Sequence, residues 1–261
     1  MKAFINSVGL QAPGLEGWQD SAAILRGERP YQFQPLSPYS PAFLPANERR
    51  RTTDTIRLGL RSAQDTLGAY LGEMPASIPT LFACVDGDTE ISAKMTAAIL
   101  ADEPMVSPIH FHNSVHNAPA GYWMIGQKNR APSSSISVGE YQLANSFVEA
   151  ITQLSEGWEA LLLVMYDLPI DPIIETYQPD MHAFGVGFLL SLNQNEHTLA
   201  ELNLQVNQQA CPSPSPCKWF GANQSAQVLP LLKGLARGEA GEQICALSPA
   251  LSLRLHWTPI A

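Results

Sequence analysis

Three histidines fall within seven residues, His110, His112 and His116. Imidazoles at this density point first to metal ligation. In an extended segment His110 and His112 share one face, and His116 follows a helical turn later, which is how some metal sites begin. No completing carboxylate or histidine stands nearby in the sequence, and histidines packed against neighbours without metal are the plainer alternative. A second chemistry is suggested by Ser135-Ile136-Ser137-Val138-Gly139-Glu140. A β-prone segment, a small residue and then a helix is the order of a nucleophile elbow. A cysteine at such a helix N-terminus would be a reactive thiolate. Here the residue is Glu140, whose carboxylate suits the helix dipole by about 0.3–1 kcal/mol but cannot carry an acyl group as a thioester. Ser133, Ser134, Ser135 and Ser137 lack a recognisable His/Asp partner pattern.

These residues need elements to hold them. Strands are expected at 2–8, 78–85, 134–138, 159–166 and 183–192, and helices at 47–70, 90–100, 113–125 and 140–154. Asn47 is the expected cap of the first helix, with Arg49, Arg50 and Arg51 in its opening turns, and Gly72 and Pro75 ending it. Asp88 or Thr89 caps the second. The proline-punctuated 27–45 reads as an ordered surface loop. The run EALLLVMY at 159–166 is nearly all apolar, as in a strand buried on both faces. The order β-α-β-α-β-α-β-β therefore predicts an α/β fold, a mostly parallel five-stranded sheet with helices on its faces. Residues 193–261 look less regular, with a Gln/Asn-rich stretch, a PSPSP loop, a helix near 227–236 and a strand at 251–257. The expected division is 1–192 as one domain, with 193–261 an extension packing on it.

Composition narrows the classes. Net charge is −9, and charged residues make up 15% against 45% hydrophobic. No basic run exceeds Arg49–Arg51, so binding to nucleic acid or to an anionic membrane surface is not expected. No segment reaches about 18 uninterrupted apolar residues, and a cytoplasmic protein is expected. Low charge is consistent with a surface covered by a partner. Cys84 reads as a buried small hydrophobe. Cys211 and Cys217 bracket PSPSP at a spacing that fits no zinc pattern and read as reduced.

The stretch 106–141 resembles the one leading to the nucleophile in elongating β-ketoacyl synthases of the thiolase fold. That family carries Ser-Pro, then Asn nine residues on, then Ala-Gly-His; here stand Ser107-Pro108, Asn117 and Ala120-Gly121, with Tyr122 for the histidine. Its Gly-Pro-Ser, alternating strand and Thr-Ala-Cys correspond to Ala131-Pro132-Ser133, 135–137 and Val138-Gly139-Glu140. The stretch 44–67 is similar to the family's first long helix. Glu140 thus falls on the nucleophilic cysteine, and the chain ends before the half that carries the family's catalytic histidines and lysine. The resemblance implies a half-length thiolase-like fold, without cofactor or metal, that does not condense acyl chains by itself. It resembles the chain-length-factor-like subunits of aryl polyene pathways, in type II polyketide and fatty-acid-like biosynthesis. Such a subunit pairs with a complete ketosynthase as a heterodimer, caps its acyl tunnel and meets acyl carrier protein indirectly. Phe111, His112, Val115, His116, Ser135, Ser137 and Glu140 are the implied tunnel and interface residues. The alternatives are a stand-alone malonyl decarboxylase using Glu140, a metal-dependent enzyme using the histidines, and a scaffold that meets an acidic carrier through Arg49–Arg51.

Overall fold

The chain opens in β1 (Lys2–Ala12) and continues through β2 (Leu15–Glu16), α1 (Trp18–Arg26), α2 (Ala46–Arg49) and α3 (Asp54–Gly68). Next come β3 (Thr80–Ala83), α4 (Thr89–Ile99), α5 (Pro108–Asn113), α6 (Ala118–Gln127) and β4 (Ser133–Ile136). Then follow α7 (Gln142–Leu154), β5 (Leu161–Asp167) and β6 (Phe184–Ser191). The tail adds β7 (Ala200–Asn207), α8 (Leu229–Arg237), β8 (Gly241–Ala246) and β9 (Ser252–Pro259). The computed structural model describes residues 1–261 except 74, 76, 173, 175–179, 213, 214 and 261. The PSPSP loop therefore lies partly outside the described residues.

The strands make one sheet in the order β4-β3-β5-β6-β1-β7-β9-β8, with β2 beside β1. The α/β architecture and the alternation of elements are those expected, and every residue of β5 is buried. The pairing differs from the expected one. Only β4–β3 and β3–β5 pair in parallel, while β6 is antiparallel to both β5 and β1. Of the five long strands before residue 192, four point one way and β6 is reversed. The tail extends the same sheet, with β7, β9 and β8 all added antiparallel. β7 and β8 escape sequence reading because one face is polar: Leu202 and Leu204 are buried while Asn203 and Gln205 are exposed.

Helices cover both faces unequally. α1, α7 and α8 pack on one face, against Ile5, Leu163, Phe188, Leu204 and Trp257. α3 and α6 pack on the other, against Phe82, Leu162, Val164 and Tyr166. α3 sits in a trough that glycine opens: a Cβ on Gly9 or Gly187 would collide with Thr66.

α3 starts later than its pattern predicts. Asn47 does not cap a 47–70 helix; its side chain accepts from Arg50 Nη2 at 2.6 Å. Thr52 Oγ1 donates to the Arg49 carbonyl at 2.8 Å, and Thr53 takes an extended conformation and caps α3 by accepting from the Ile56 N–H. Side chain–backbone bonds at consecutive threonines outcompete helix continuation. Arg49 lies in the single turn α2 and Arg50 and Arg51 in the break, and the helix ends at Gly68, before Gly72 and Pro75. Asp88 caps α4 as expected, its Oδ1 accepting from Ile91 N–H at 3.0 Å.

Candidate functional site

β4 runs along the edge of the sheet in parallel register with β3, Ser133 opposite Thr80 and Ile136 opposite Ala83. Past it the chain turns through Gly139, at φ +56°, into a single 3-10 turn (Gly139–Tyr141) and then α7. The positive φ is what lets strand give way to helix so abruptly, and glycine takes it without strain. Glu140 sits on this turn, exposed, with a hydrogen bond from Tyr141 that helps hold the Tyr141 hydroxyl above its ordinary pKa, after the effect of burial. The elbow predicted from the sequence is present, with a carboxylate at its apex.

The space at that apex is small. Glu140, Leu143, Gln227, Gln243, Ile244 and Cys245 line a cavity of about 50 Å³. β8, from the tail, therefore lies against the elbow. Water occupies about 30 Å³ in the liquid and ligand pockets about 300–1,000 Å³, so this cavity has room for little more than solvent.

Beneath the elbow lies a group that the sequence reading missed. Asp167, at the end of β5, is 1% exposed. Its Oδ1 accepts from Val85 N–H at 2.7 Å, and its Oδ2 from Ser225 Oγ at 2.5 Å and Gln142 Nε2 at 3.2 Å. Burial pushes its carboxyl up to about 6, against the opposing pull of the Ser225 and Val85 hydrogen bonds. The Cys84 thiol beside it is pushed well above its ordinary range, first by burial and then by the Asp167 charge. The end of β3 is bound from three sides: Val85 N–H by Asp167, Val85 C=O by Ser137 Oγ at 2.6 Å, and Cys84 C=O by His116 Nε2 at 2.8 Å. The available signal was one acid closing an otherwise apolar strand, Leu161-Leu162-Leu163-Val164-Met165-Tyr166-Asp167.

The histidines do not converge. His110 and His112 lie in helix α5, not in an extended segment, so residues two apart point away from one another. His112 is exposed, its ring edge-on to Tyr122 at 6.1 Å, and His116 is spent on the Cys84 carbonyl. Among the described residues no group of three or more His, Cys, Asp or Glu side chains is placed to hold a metal ion. The helix expected at 113–125 is α6, displaced toward its C-terminus, with α5 before it. Ser107 caps α5, accepting from His110 N–H at 3.5 Å. The cysteines are unpaired thiols, with Cys84 buried.

Of the other sequence-predicted residues, Phe111 and Val115 are exposed on and after α5, and Ser135 lies on β4 with its Oγ buried and unpartnered among the described residues. Phe111 and Val115 belong to a larger feature. Ile99, Leu100, Met105, Ile109, Phe111, Val115 and Ile125 are 44–80% exposed, half of the exposed large hydrophobics among the described residues. Exposed apolar side chains so concentrated along one stretch of the chain make it a candidate interaction surface. Ser137 and His116 tie the end of β3 to the elbow strand and to the segment after α5, so this face and the elbow share one anchor.

Residues 18–248 match the sequence profile of the family described as "Beta-ketoacyl synthase, N-terminal domain". The match crosses residue 192 and includes the elbow. Among solved structures, a chain of a ketosynthase (ApeO) in complex with its chain length factor (ApeC) from Xenorhabdus doucetiae superposes with TM-score 0.72 at 22% identity, covering 99% of each chain. A chain of the ishigamide ketosynthase/chain length factor gives TM-score 0.73 at 12% identity and covers 100% of both. The ketosynthase from module 1 of the bacillaene synthase of Bacillus amyloliquefaciens gives TM-score 0.60 at 11% identity, over 82% of this chain and 48% of that one. No curated protein matches the sequence.

Proposed function

We propose, from the premise that this chain belongs to the β-ketoacyl synthase N-terminal-domain family, that it is a chain-length-factor-like subunit serving a complete ketosynthase. The observation that carries the reading is one contrast: the elbow is present but carries an exposed carboxylate beside a cavity of only about 50 Å³, while the 99–125 stretch leaves seven large apolar side chains uncovered. A cysteine-less elbow has no thiol to load with an acyl group, and the cavity beside Glu140 is too small to enclose a malonyl group away from solvent, which disfavours decarboxylation there. Two similar structures are ketosynthases with chain length factors, and their chains have this chain's length.

In this reading the ketosynthase is the heterodimer partner and supplies the chemistry, and acyl carrier protein reaches the complex through it. The edge strand β4 with Ser135, and Ser137 just past it, lie along the shared interface. Phe111, His112 and Val115 face the partner's acyl tunnel and set where a growing polyene, of the aryl polyene kind, stops. Flat rings suit a conjugated chain by stacking. His116 is a wall element rather than a free lining residue, since its ring is held by Cys84. Residues 193–261 extend the domain of 1–192 and close the elbow through β8. Among the described residues no helix is long and apolar enough to cross a membrane, in keeping with a cytoplasmic place beside a ketosynthase.

Native mass spectrometry of the chain co-expressed with a ketosynthase tests this. A stable 1:1 complex is expected; a well-behaved monomer that ignores the ketosynthase sinks the proposal.

A further inference from the structure

Away from the elbow, the tail builds a cationic cluster around Trp219. Lys218 and Trp219 stand at the tip of a turn closed in both directions, Cys217 N–H to Gly221 O at 2.6 Å and Gly221 N–H to Cys217 O at 2.8 Å. The Trp219 ring stacks on Tyr31, centroids 4.5 Å apart and planes within 13°. Lys233, on α8, holds its Nζ 4.2 Å from the centroid of the Trp219 ring. Two open cavities, of about 520 and 320 Å³, flank Trp219, and Lys218 lines both. Tyr31, Phe33 and His182 wall the larger.

The charges here are unlike those elsewhere on the chain. The protein carries 24 acidic against 15 basic residues, and most of its ion pairs join Lys or Arg to a carboxylate. Neither Lys218 nor Lys233 makes an ion pair among the described residues. Burial pushes the Lys233 ammonium below the ordinary lysine range; the Cys217 thiol opposes that shift, and the Arg237 and Lys218 cations add to it. Snorkelling of the Lys233 stem over Trp219 explains its position but not why two more cations gather beside it. Arg237 has its own partner in Glu239 at 3.8 Å, which leaves Lys218 and Lys233 as the two cations of the cluster without a carboxylate among the described residues. Like charges brought together cost stability, and a bound anion offsets that cost.

We propose that the Lys218–Trp219–Lys233 cluster binds an organic phosphate, its head between the two ammonium groups and its apolar body in the cavity beside Trp219, along Leu229 and Pro230. Lysines serve phosphate as point charges. The paired cavities are concave and of small-ligand size, which favours a small molecule over a flat acidic protein surface. The site is independent of the face proposed for the ketosynthase.

Isothermal titration calorimetry of the full chain, in complex if it is obtained that way, provides the test, with phenyl phosphate, inorganic phosphate and phenol as probes. Phenyl phosphate is expected to saturate one site, inorganic phosphate to bind about tenfold more weakly, and phenol not at all. The double variant Lys218→Gln/Lys233→Gln, with an unchanged melting temperature, should lose about tenfold or more in phenyl phosphate affinity. Trp219→Leu should abolish the preference for phenyl phosphate over inorganic phosphate. No saturable binding, or equal affinity in the double variant, overturns the proposal. So does binding of oligoglutamate with phenyl phosphate silent, which assigns the patch to an acidic protein partner.

Discussion

The elbow and the 99–125 face are neighbours built on opposite terms. Under the elbow one buried acid organises the packing: Asp167 gathers Val85, Ser225 and Gln142, and β8 leaves a cavity of about 50 Å³ beside Glu140. The 99–125 face leaves Phe111 65% and Leu100 80% exposed. A region that binds substrate is ordinarily concave and open, and a region that binds protein is apolar and uncovered. Here the elbow is packed from the tail side, and the 99–125 stretch is left bare.

The most damaging way to break this contrast is to remove the support. Asp167→Ala strands three buried donors and should cost about 3–5 kcal/mol, read by denaturant unfolding, whereas Asp167→Asn keeps most of the bonds and should cost clearly less. A loss below 1 kcal/mol for the alanine would deny Asp167 its role.

The same residue makes a pH prediction of about 3 kcal/mol, from a shift of roughly two units. Its carboxyl titrates near 6 when folded and near 3.9 when unfolded. Between those values the folded chain holds a proton that the unfolded chain has released. The contribution of Asp167 is therefore complete below about pH 4 and is lost as pH rises through about 6. Asp167→Asn should flatten that part of the stability–pH curve; an unchanged slope would assign it to other groups.

On the bare face, Ile109→Ser/Phe111→Ser/Val115→Ser should change the stability of the isolated chain by no more than about 0.5 kcal/mol per site. It should weaken assembly with the ketosynthase by about 2 kcal/mol or more, measured as the heterodimer dissociation constant. Phe111→Ala alone should lengthen the products of the complex, seen by mass spectrometry of the released chains.

The smallest effect belongs to the residue that first suggested catalysis. Glu140→Gln should leave stability within about 0.5 kcal/mol and product length unchanged, and Glu140→Cys should not confer condensation on the isolated chain. Condensing activity in the cysteine variant would show that the elbow is less closed than its cavity.

Much of this was legible in one dimension. The unbroken apolar run of β5, the helical spacing of α3 and the strand–glycine–helix order at Glu140 are local patterns, each set by a period of side-chain burial or by one backbone requirement. Expectations failed where a local hydrogen bond or a half-polar strand decided the outcome. Thr52 and Thr53 break the first helix, α5 separates His110 from His112, and β7 and β8 carry polar residues on one face.

By itself, then, the sequence determined the α/β alternation, the elbow and the identity of the residue at its apex, because these depend on residues adjacent in the chain. Only the tertiary structure decided that β8 packs beside the elbow, that Asp167 anchors it and that the 99–125 side chains are left uncovered. Asp167 meets Val85, Gln142 and Ser225 across 82, 25 and 58 positions, and β8 reaches Glu140 from a hundred residues downstream. Burial is a property of what other segments bring to a residue, and no local pattern carries that information.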